Sequence, residues 1–295
     1  MWWKRSTSCP CRNDMSLLPT LRIVAAMAAG IVVLMLAFVV LESLPALRSV
    51  GAVRFFADPG WHPAAGAARG QFNLGPMLVG TIAAAAGAVV LAAPLGLGSA
   101  IFSRFYAPGP IGRGYRRLVE VLAGIPSVVY GFWGLVVLAP LIRQWQPPGQ
   151  SLLAGTLILA LMILPTVALL SEASLRSVPA SYLRGTAALG LSRWASIRGV
   201  VLPAARSGIL AAILLATGRA IGETMAVLMV TGNVVQVPRS VFDPVRALTS
   251  NIALELGYAM DHHRSALFVS GLVLMAMIAV LVAMAEWTGR ERLHA

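Results

Sequence analysis

Residues 23–41 read IVAAMAAGIVVLMLAFVVL, an apolar run without a single charged side chain. At a rise of 1.5 Å per residue, about 20 residues are enough for a helix to cross the hydrocarbon core of a bilayer. The apolar core of a signal peptide is shorter, roughly 7–15 residues. The run therefore predicts a first transmembrane helix that is retained in the protein.

Five further apolar runs follow it. They occupy residues 77–102, 118–142, 152–170, 208–230 and 266–285. The chain as a whole is 58% hydrophobic and only 12% charged, whereas a soluble domain carries roughly 25% charged residues. We therefore predict an all-α, polytopic membrane helix bundle of about six transmembrane helices. The transmembrane domain is expected over 23–288, between tails at 1–22 and 289–295.

The net charge of +12 comes from basic residues in short loops between the apolar runs. They form no basic face with interleaved aromatic residues, so nucleic-acid binding is rejected. With the N-terminus inside, fifteen of the 23 basic residues fall inside, seven fall outside and Arg219 lies within a run. This bias predicts that both termini are cytoplasmic. The long loops are then 171–207 inside and 231–264 outside, and the external segment 44–73 is expected to be irregular because it is rich in Gly, Ala and Pro.

The inner loop carries a recognisable spacing. Residues 178–190 read VPASYLRGTAALG, and nine residues separate Gly190 from Val200, which is followed by Leu202 and Pro203. This resembles the E-A-A-x-x-x-G, nine residues, I-x-L-P loop of ABC importer permeases, although Arg184 stands where that family usually has glutamate. The pattern predicts two short helices around a left-handed Gly190. Apolar residues such as Leu183, Leu189 and Trp194 could insert into a groove of another protein; the alternative is an ordinary amphipathic surface helix.

Two other stretches narrow the resemblance. Residues 122–134 read LAGIPSVVYGFWG, and residues 218–226 read GRAIGETMA, followed by the Thr-Gly-Asn of 231–233. Both are similar to phosphate importer permeases, and the Glu-Thr-Met-Ala run is closer to the PstC kind than to its PstA companion. The likeness covers roughly 74–285. It implies the type I ABC importer permease fold, with a core at about 74–288, in a bacterial cytoplasmic (inner) membrane.

The resemblance also implies a set of partners for the transport of inorganic phosphate. These are a second, PstA-like permease subunit, a dimeric PstB-like ATP-binding subunit and an external PstS-like phosphate-binding protein. The only lysine of the chain is Lys4 and no glycine loop surrounds it, so the chain itself has no standard P-loop. We therefore predict a transporter subunit that is not an enzyme and binds no cofactor, with ATP used by the partner. The residues expected to couple to the ATPase are Tyr182, Leu183, Arg184, Gly185, Leu189, Gly190, Trp194, Leu202 and Pro203.

A charged pair lies inside the fifth apolar run. An arginine at a helix centre costs about 2.5–3.5 kcal/mol on insertion scales, so Arg219 should face a pathway or a polar partner. Glu223 follows four residues later, on the same face of a continuous helix, and Gly218 and Gly222 would let a neighbouring helix approach. The planar guanidinium suits a phosphate oxyanion. A structural ion pair is the alternative, and Glu120 is either a further pathway residue or a charge at the membrane interface.

Two other function classes fit the sequence less well. A secondary transporter would also use broken helices and central charges, but the sequence has no internal repeat and the inner loop resembles a docking element. A membrane-embedded enzyme lacks a nucleophile–base pair. Cys9 and Cys11 are interpreted as incidental thiols, and no histidine has a second ligand at zinc-like spacing, so no metal site is predicted. The histidines are His62, His262, His263 and His294.

Overall fold

The computed structural model describes residues 11–63 and 70–290, with side chains for 19–63 and 70–284. Helix α1 (Cys11–Ser49) contains the first predicted span and continues beyond both of its ends. It packs against the last helix, where the rings of Phe38 and Phe268 meet edge to face at 5.6 Å. Ala46 near its end is buried as well, whereas the apolar side chains of 21–36 are exposed in this chain. A helix of this length and composition with so little protein around it is suited to contact with lipid.

The segment after α1, expected to be external, has regular structure in its described part, which corrects the expectation of an irregular 44–73. It contains helix α2 (Arg54–Ala57) and an antiparallel pair of two-residue strands, β1 (Trp61–His62) and β2 (Gln71–Phe72). Phe55, Trp61 and Phe72 are buried together. Gly, Ala and Pro suggested a loop, but these aromatic rings are buried in a cluster that they share with Met77, Leu248 and Leu267 of the helices.

Helices α3 (Gly75–Ile101) and α7 (Leu152–Arg176) form the centre of the bundle. A π-helical turn (Phe102–Tyr106) continues α3. The face of α3 toward α7 carries small residues, and a Cβ built on Gly96 would lie 2.8 Å from Val167. Small residues at such positions let two helix backbones approach closely, so packing of α3 on α7 depends on them.

The third predicted span is divided by a sharp elbow. Helix α4 (Gly109–Gly124) is bent by 88° from the segment Ser127–Arg143, which consists of α5 (Ser127–Trp133), a π-helical turn and α6 (Ala139–Arg143). Ile125 is extended, at φ −67° and ψ 129°, because the ring of Pro126 disfavours a helical conformation in the residue before it. The predicted run 118–142 therefore begins within α4 and crosses the elbow.

The segment 171–207, expected to lie outside the membrane, is largely helical. Helix α7 continues to Arg176, and helices α8 (Ala180–Ala188) and α9 (Arg193–Ser196) follow it. A π-helical turn then joins α9 to α10 (Leu202–Gly222), so that Arg193–Gly222 is a continuous helical segment of 30 residues. The predicted loop 171–207 ended at the change in composition, whereas the backbone hydrogen bonds of both flanking helices continue into it.

The fifth predicted span is broken as well, because α10 stops at Gly222 and α11 (Met225–Val230) follows. The external segment 231–264 contains α12 (Leu248–Glu255), and α13 (Asp261–Arg290) completes the described chain. The described residues include five helices long and apolar enough to cross a membrane, and the bent pair of α4 with Ser127–Arg143 makes six. The prediction of an all-α bundle of about six spans is confirmed.

Candidate functional site

The break between α10 and α11 lies inside the bundle and is held by Glu223. Its backbone is extended, and its Oε1 accepts a hydrogen bond of 3.1 Å from the amide of Ala226 in the first turn of α11. Its carbonyl accepts a 2.8 Å bond from Thr249 Oγ1 of α12. Helix ends leave unpaired amides and carbonyls, and these two bonds satisfy one of each. Glu223 is thus the joint between two half-helices and the external helix α12.

Arg219 lies in the last turn of α10 and is exposed in this chain. Its Nη1 donates a 3.3 Å hydrogen bond to Thr166 Oγ1, near the middle of α7. The predicted helical face shared with Glu223 is wrong, because the helix ends before Glu223. Within the described chain the two side chains form no ion pair, and their roles stay predictions. A guanidinium has five donors, and the bond to Thr166 uses one of them.

One stripe of α10 is uncovered around Arg219. It contains Ala211, Leu215 and Gly222, which are spaced so as to share the exposed face with the arginine. A Cβ built on Gly218 or Gly222 would meet no described atom of this chain within 4 Å. The neighbouring helix that these glycines were expected to admit is therefore not provided by the described part of this chain. The guanidinium, in the middle of the bundle, faces an open side.

The opposite side of the break is tightly packed. A Cβ on Gly131 of α5 would lie 2.8 Å from the Cα of Ala226, and a Cβ on Gly134 would lie 2.8 Å from both Ile158 and Val230. These glycines let the segment after the elbow lie directly against α11. The segments that follow the two interruptions therefore contact each other.

The structure places Glu120 away from Arg219. It lies on α4 and forms a 2.8 Å ion pair with Arg116. Arg116 also lies 3.7 Å from Glu172, a buried carboxylate near the end of α7 that pairs with Arg176 at 2.6 Å. Sequence reasoning missed Glu172; its spacing of four residues from Arg176 was the available signal. The four charges join α4 to α7.

The inner loop forms two short helices around Gly190, as predicted, and Gly190 has a positive φ of 69°. Leu189 and Trp194 are 79% and 53% exposed, and Tyr182 is also exposed. Leu183 packs inward against the cluster of Ala100, Leu175 and Val201, which corrects its expected outward position, and Leu202 packs there too. The remaining predicted loop residues are exposed: Arg184, Gly185 and Pro203.

Arg193 fastens this loop to the end of α3. Its Nη1 donates a 3.2 Å bond to the carbonyl of Phe105, and its guanidinium lies 5.6 Å from the ring centre of Tyr106. No sequence signal indicated this contact, because the motif carries no information about a residue 88 positions earlier in the chain. These two contacts join the loop to the π-helical turn that continues α3.

A second buried charge, also missed, joins the segment after α1 to α12 and α13. Glu255 of α12 accepts a 2.8 Å bond from Trp61 Nε1 and lies 2.9 Å from His263 Nε2. Its other oxygen is 2.6 Å from Arg246 Nη1. A buried carboxylate is stable only when its oxygens are paired in this way. The network joins the β1–β2 hairpin to α12, the helix that contacts Glu223.

Comparisons with known proteins match this arrangement. The family model described as "Binding-protein-dependent transport system inner membrane component" matches residues 92–291. The chain is 37% identical over 250 residues to the "Probable ABC transporter permease protein YqgH" of Bacillus subtilis, covering 83% of this chain and 80% of that protein. It is 34% identical over 287 residues to the "Phosphate transport system permease protein PstC" of Mesorhizobium japonicum, covering 88% and 86%.

Two solved structures have the same fold at lower identity. An inward-facing MetNI methionine ABC transporter aligns with a TM-score of 0.58 and 18% identity, over 72% of this chain and 92% of that one. An amino acid ABC transporter crystallised with histidines aligns with a TM-score of 0.55 and 17% identity, over 73% and 92%. The bundle is therefore similar in fold to the permeases of type I ABC importers.

Proposed function

The chain belongs to the binding-protein-dependent transport system inner membrane component family, and from this we propose that it is a PstC-like permease subunit that carries inorganic phosphate inward across the cytoplasmic membrane. A membrane permease role follows from the family, and the relatives named PstC support phosphate as the cargo. ATP hydrolysis is assigned to a PstB-like partner, and delivery of phosphate to an external PstS-like protein.

The observation that carries the proposal is an exposed arginine beside a break in a membrane helix. The phosphate dianion prefers fixed donors with positive charge, and a guanidinium offers two parallel N–H groups to its oxygens. Thr166 holds Arg219 from one side and leaves the face toward the open stripe of α10 free for the anion. Glu223 is occupied as a joint, so it positions the two half-helices and does not neutralise Arg219.

The open stripe also indicates where the PstA-like subunit sits. A phosphate pathway that is open on one side would expose the anion to lipid, so this side has to be covered by another protein surface. The exposed glycines of α10 allow a helix of a second subunit to pack closely there. We propose that the second subunit closes this side, so that Arg219 lines the shared channel. The loop around Gly190 lies at the inner end, with both termini of the chain cytoplasmic, and presents Leu189 and Trp194 to the ATPase.

The test removes the charge of Arg219 in the assembled transporter. Hydrogen bonds to charged groups contribute about 1.5–3 kcal/mol, so Arg219→Gln should lower phosphate uptake roughly ten- to hundredfold. Assembly should persist, because Arg219 has no carboxylate partner to leave unpaired. Arg206→Gln, an exposed arginine at the start of the same helix, is the matched control and should transport normally.

Near-normal uptake by an assembled Arg219→Gln transporter would refute the pathway role. The cargo is tested separately, by competition of phosphate uptake with sulfate in the unchanged transporter. Equal inhibition by sulfate would contradict phosphate selectivity and leave the permease role intact. Transport by this chain alone in liposomes would indicate a secondary transporter instead.

A further inference from the structure

Helix α4 has a surface that the transport pathway does not use. It is bent by 88° from the crossing segment Ser127–Arg143, so it runs nearly perpendicular to that segment. Tyr115 fastens it to the end of α3 by a 2.8 Å bond to Ser99 Oγ and by an edge-to-face ring contact with Phe102 at 5.4 Å. The Arg116–Glu172 contact fastens it to the end of α7. Helix α4 therefore lies across the end of the bundle that carries the Gly190 loop.

The exposed part of α4 divides into two stripes. At 100° per residue, Ile111, Leu118 and Val121 fall on one arc of the helix, and they are 59%, 58% and 68% exposed. Arg113 and Arg117 fall on the adjoining arc and are exposed as well. Arg113 uses its Nε for a 3.2 Å bond to the carbonyl of Gly109, and its side chain is exposed.

We propose that α4 lies in the headgroup layer of the membrane, with its apolar stripe in the acyl boundary and with Arg113 and Arg117 bound to the phosphates of anionic phospholipids. Helix α4 lies across the ends of membrane spans and has an exposed apolar stripe beside a cationic one. These two stripes match the acyl boundary and the headgroup phosphates of that layer, respectively. Anionic lipids attract basic residues next to a membrane surface and increase their binding.

This site is separate from the proposed phosphate pathway and does not depend on the cargo. Lipid binding at α4 would also restrain another part of the fold. The elbow at Ile125 and Pro126 joins α4 to the segment that contacts α11, so a lipid-bound α4 fixes one side of the Glu223 joint relative to the membrane surface. The occupant is a lipid headgroup, and a second subunit covering the same stripe is the competing outcome.

The position of α4 is tested by fluorescence quenching in the assembled transporter in nanodiscs. Cys9 and Cys11 are replaced by serine, and Val121→Cys carries the probe, with Leu34→Cys on α1 as a deep membrane control. Lipid carrying a quencher near its headgroup should quench the Val121 probe most strongly, and a quencher deep in the acyl chain should quench the Leu34 probe. Quenching of the Val121 probe only by a water-soluble quencher, or by neither kind, would overturn the proposal.

The arginines are tested with the double variant Arg113→Gln and Arg117→Gln. In nanodiscs that contain phosphatidylglycerol and phosphatidylcholine, the preference for anionic lipid around the Val121 probe should fall about fivefold for each arginine removed. Arg198→Gln with Arg206→Gln removes the same charge from exposed positions outside α4 and should leave the preference unchanged. An unchanged preference in the α4 variant, an equal loss in the control, or displacement of the lipid by inorganic phosphate would contradict the assignment.

Discussion

Two membrane segments of this molecule are interrupted, and the interruptions have different causes. The elbow between α4 and α5 coincides with Pro126, which removes a backbone donor and disfavours a helix at Ile125. The break between α10 and α11 has no proline; its ends are bonded to the side chain of Glu223 and to Thr249 of α12. The first interruption has a local cause in the proline, whereas the second combines a local bond to the Glu223 side chain with a bond from Thr249, 26 residues away along the chain.

The largest effect is expected in isolated peptides, in which the local cause acts without the tertiary one. A proline inside a helix costs about 3 kcal/mol, so a peptide of residues 109–138 in micelles should keep its elbow, and Pro126→Ala should give one continuous helix. A peptide of residues 205–230 should already be continuous, because it lacks Thr249. Backbone chemical shifts measured by NMR report both. A break at Glu223 in the second peptide would contradict a tertiary cause.

The next effect concerns the contact between the two interrupted segments. Gly131→Leu places a side chain against the backbone of Ala226, which cannot rotate away, and such overpacking costs about 1–3 kcal/mol. The purified protein should unfold at a lower temperature. Gly124→Ala is the control, since a Cβ there meets no described atom within 4 Å. Equal thermal stability of the two variants would show that the contact is unimportant.

A smaller effect should follow loss of the joint at Glu223. Glu223→Ala removes the bond to the first turn of α11, and loss of a helix cap costs about 1 kcal/mol. Thr249→Val removes the bond to the Glu223 carbonyl, at a cost of about 0.5–1.5 kcal/mol. Both should lower phosphate uptake, and the double variant should be less than additive because the two bonds hold one joint. Strict additivity in unfolding measurements would indicate two independent interactions.

The smallest effect is expected at the elbow. Tyr130→Phe deletes the 2.8 Å hydrogen bond from the hydroxyl to the carbonyl of Leu122, worth about 0.5–1.5 kcal/mol. Because Pro126 maintains the elbow without it, the assembled transporter should retain most of its uptake. A loss as large as that of Glu223→Ala would mean that the elbow, too, depends on tertiary contacts.

The candidate functional site also contains some features that are set locally by the sequence and others that depend on the tertiary structure. The sequence singled out Arg219, Glu223 and Gly190, because a charge in an apolar run and a spaced glycine are local signals. It could not indicate that Arg219 bonds to Thr166 instead of Glu223, or that Leu183 packs inward, since these contacts depend on where α7 and α10 meet. Glu255 was missed because its partner Trp61 is distant in the chain, whereas Glu172 had a local signal in its i,i+4 spacing to Arg176 and only its contact with Arg116 required the tertiary structure.

Composition and hydropathy alone determined that this chain is a membrane bundle of about six helices, since apolar length is a property of the sequence read residue by residue. The elbow at Pro126 and the turn at Gly190 were likewise local, because proline and glycine act on the backbone next to them. Only the tertiary structure decided that α4 lies across the bundle end, that the external segment is ordered by buried aromatic rings, and that Glu223 joins two half-helices. Each of these depends on hydrogen bonds and packing between segments far apart in the chain, and no local pattern specifies such pairing.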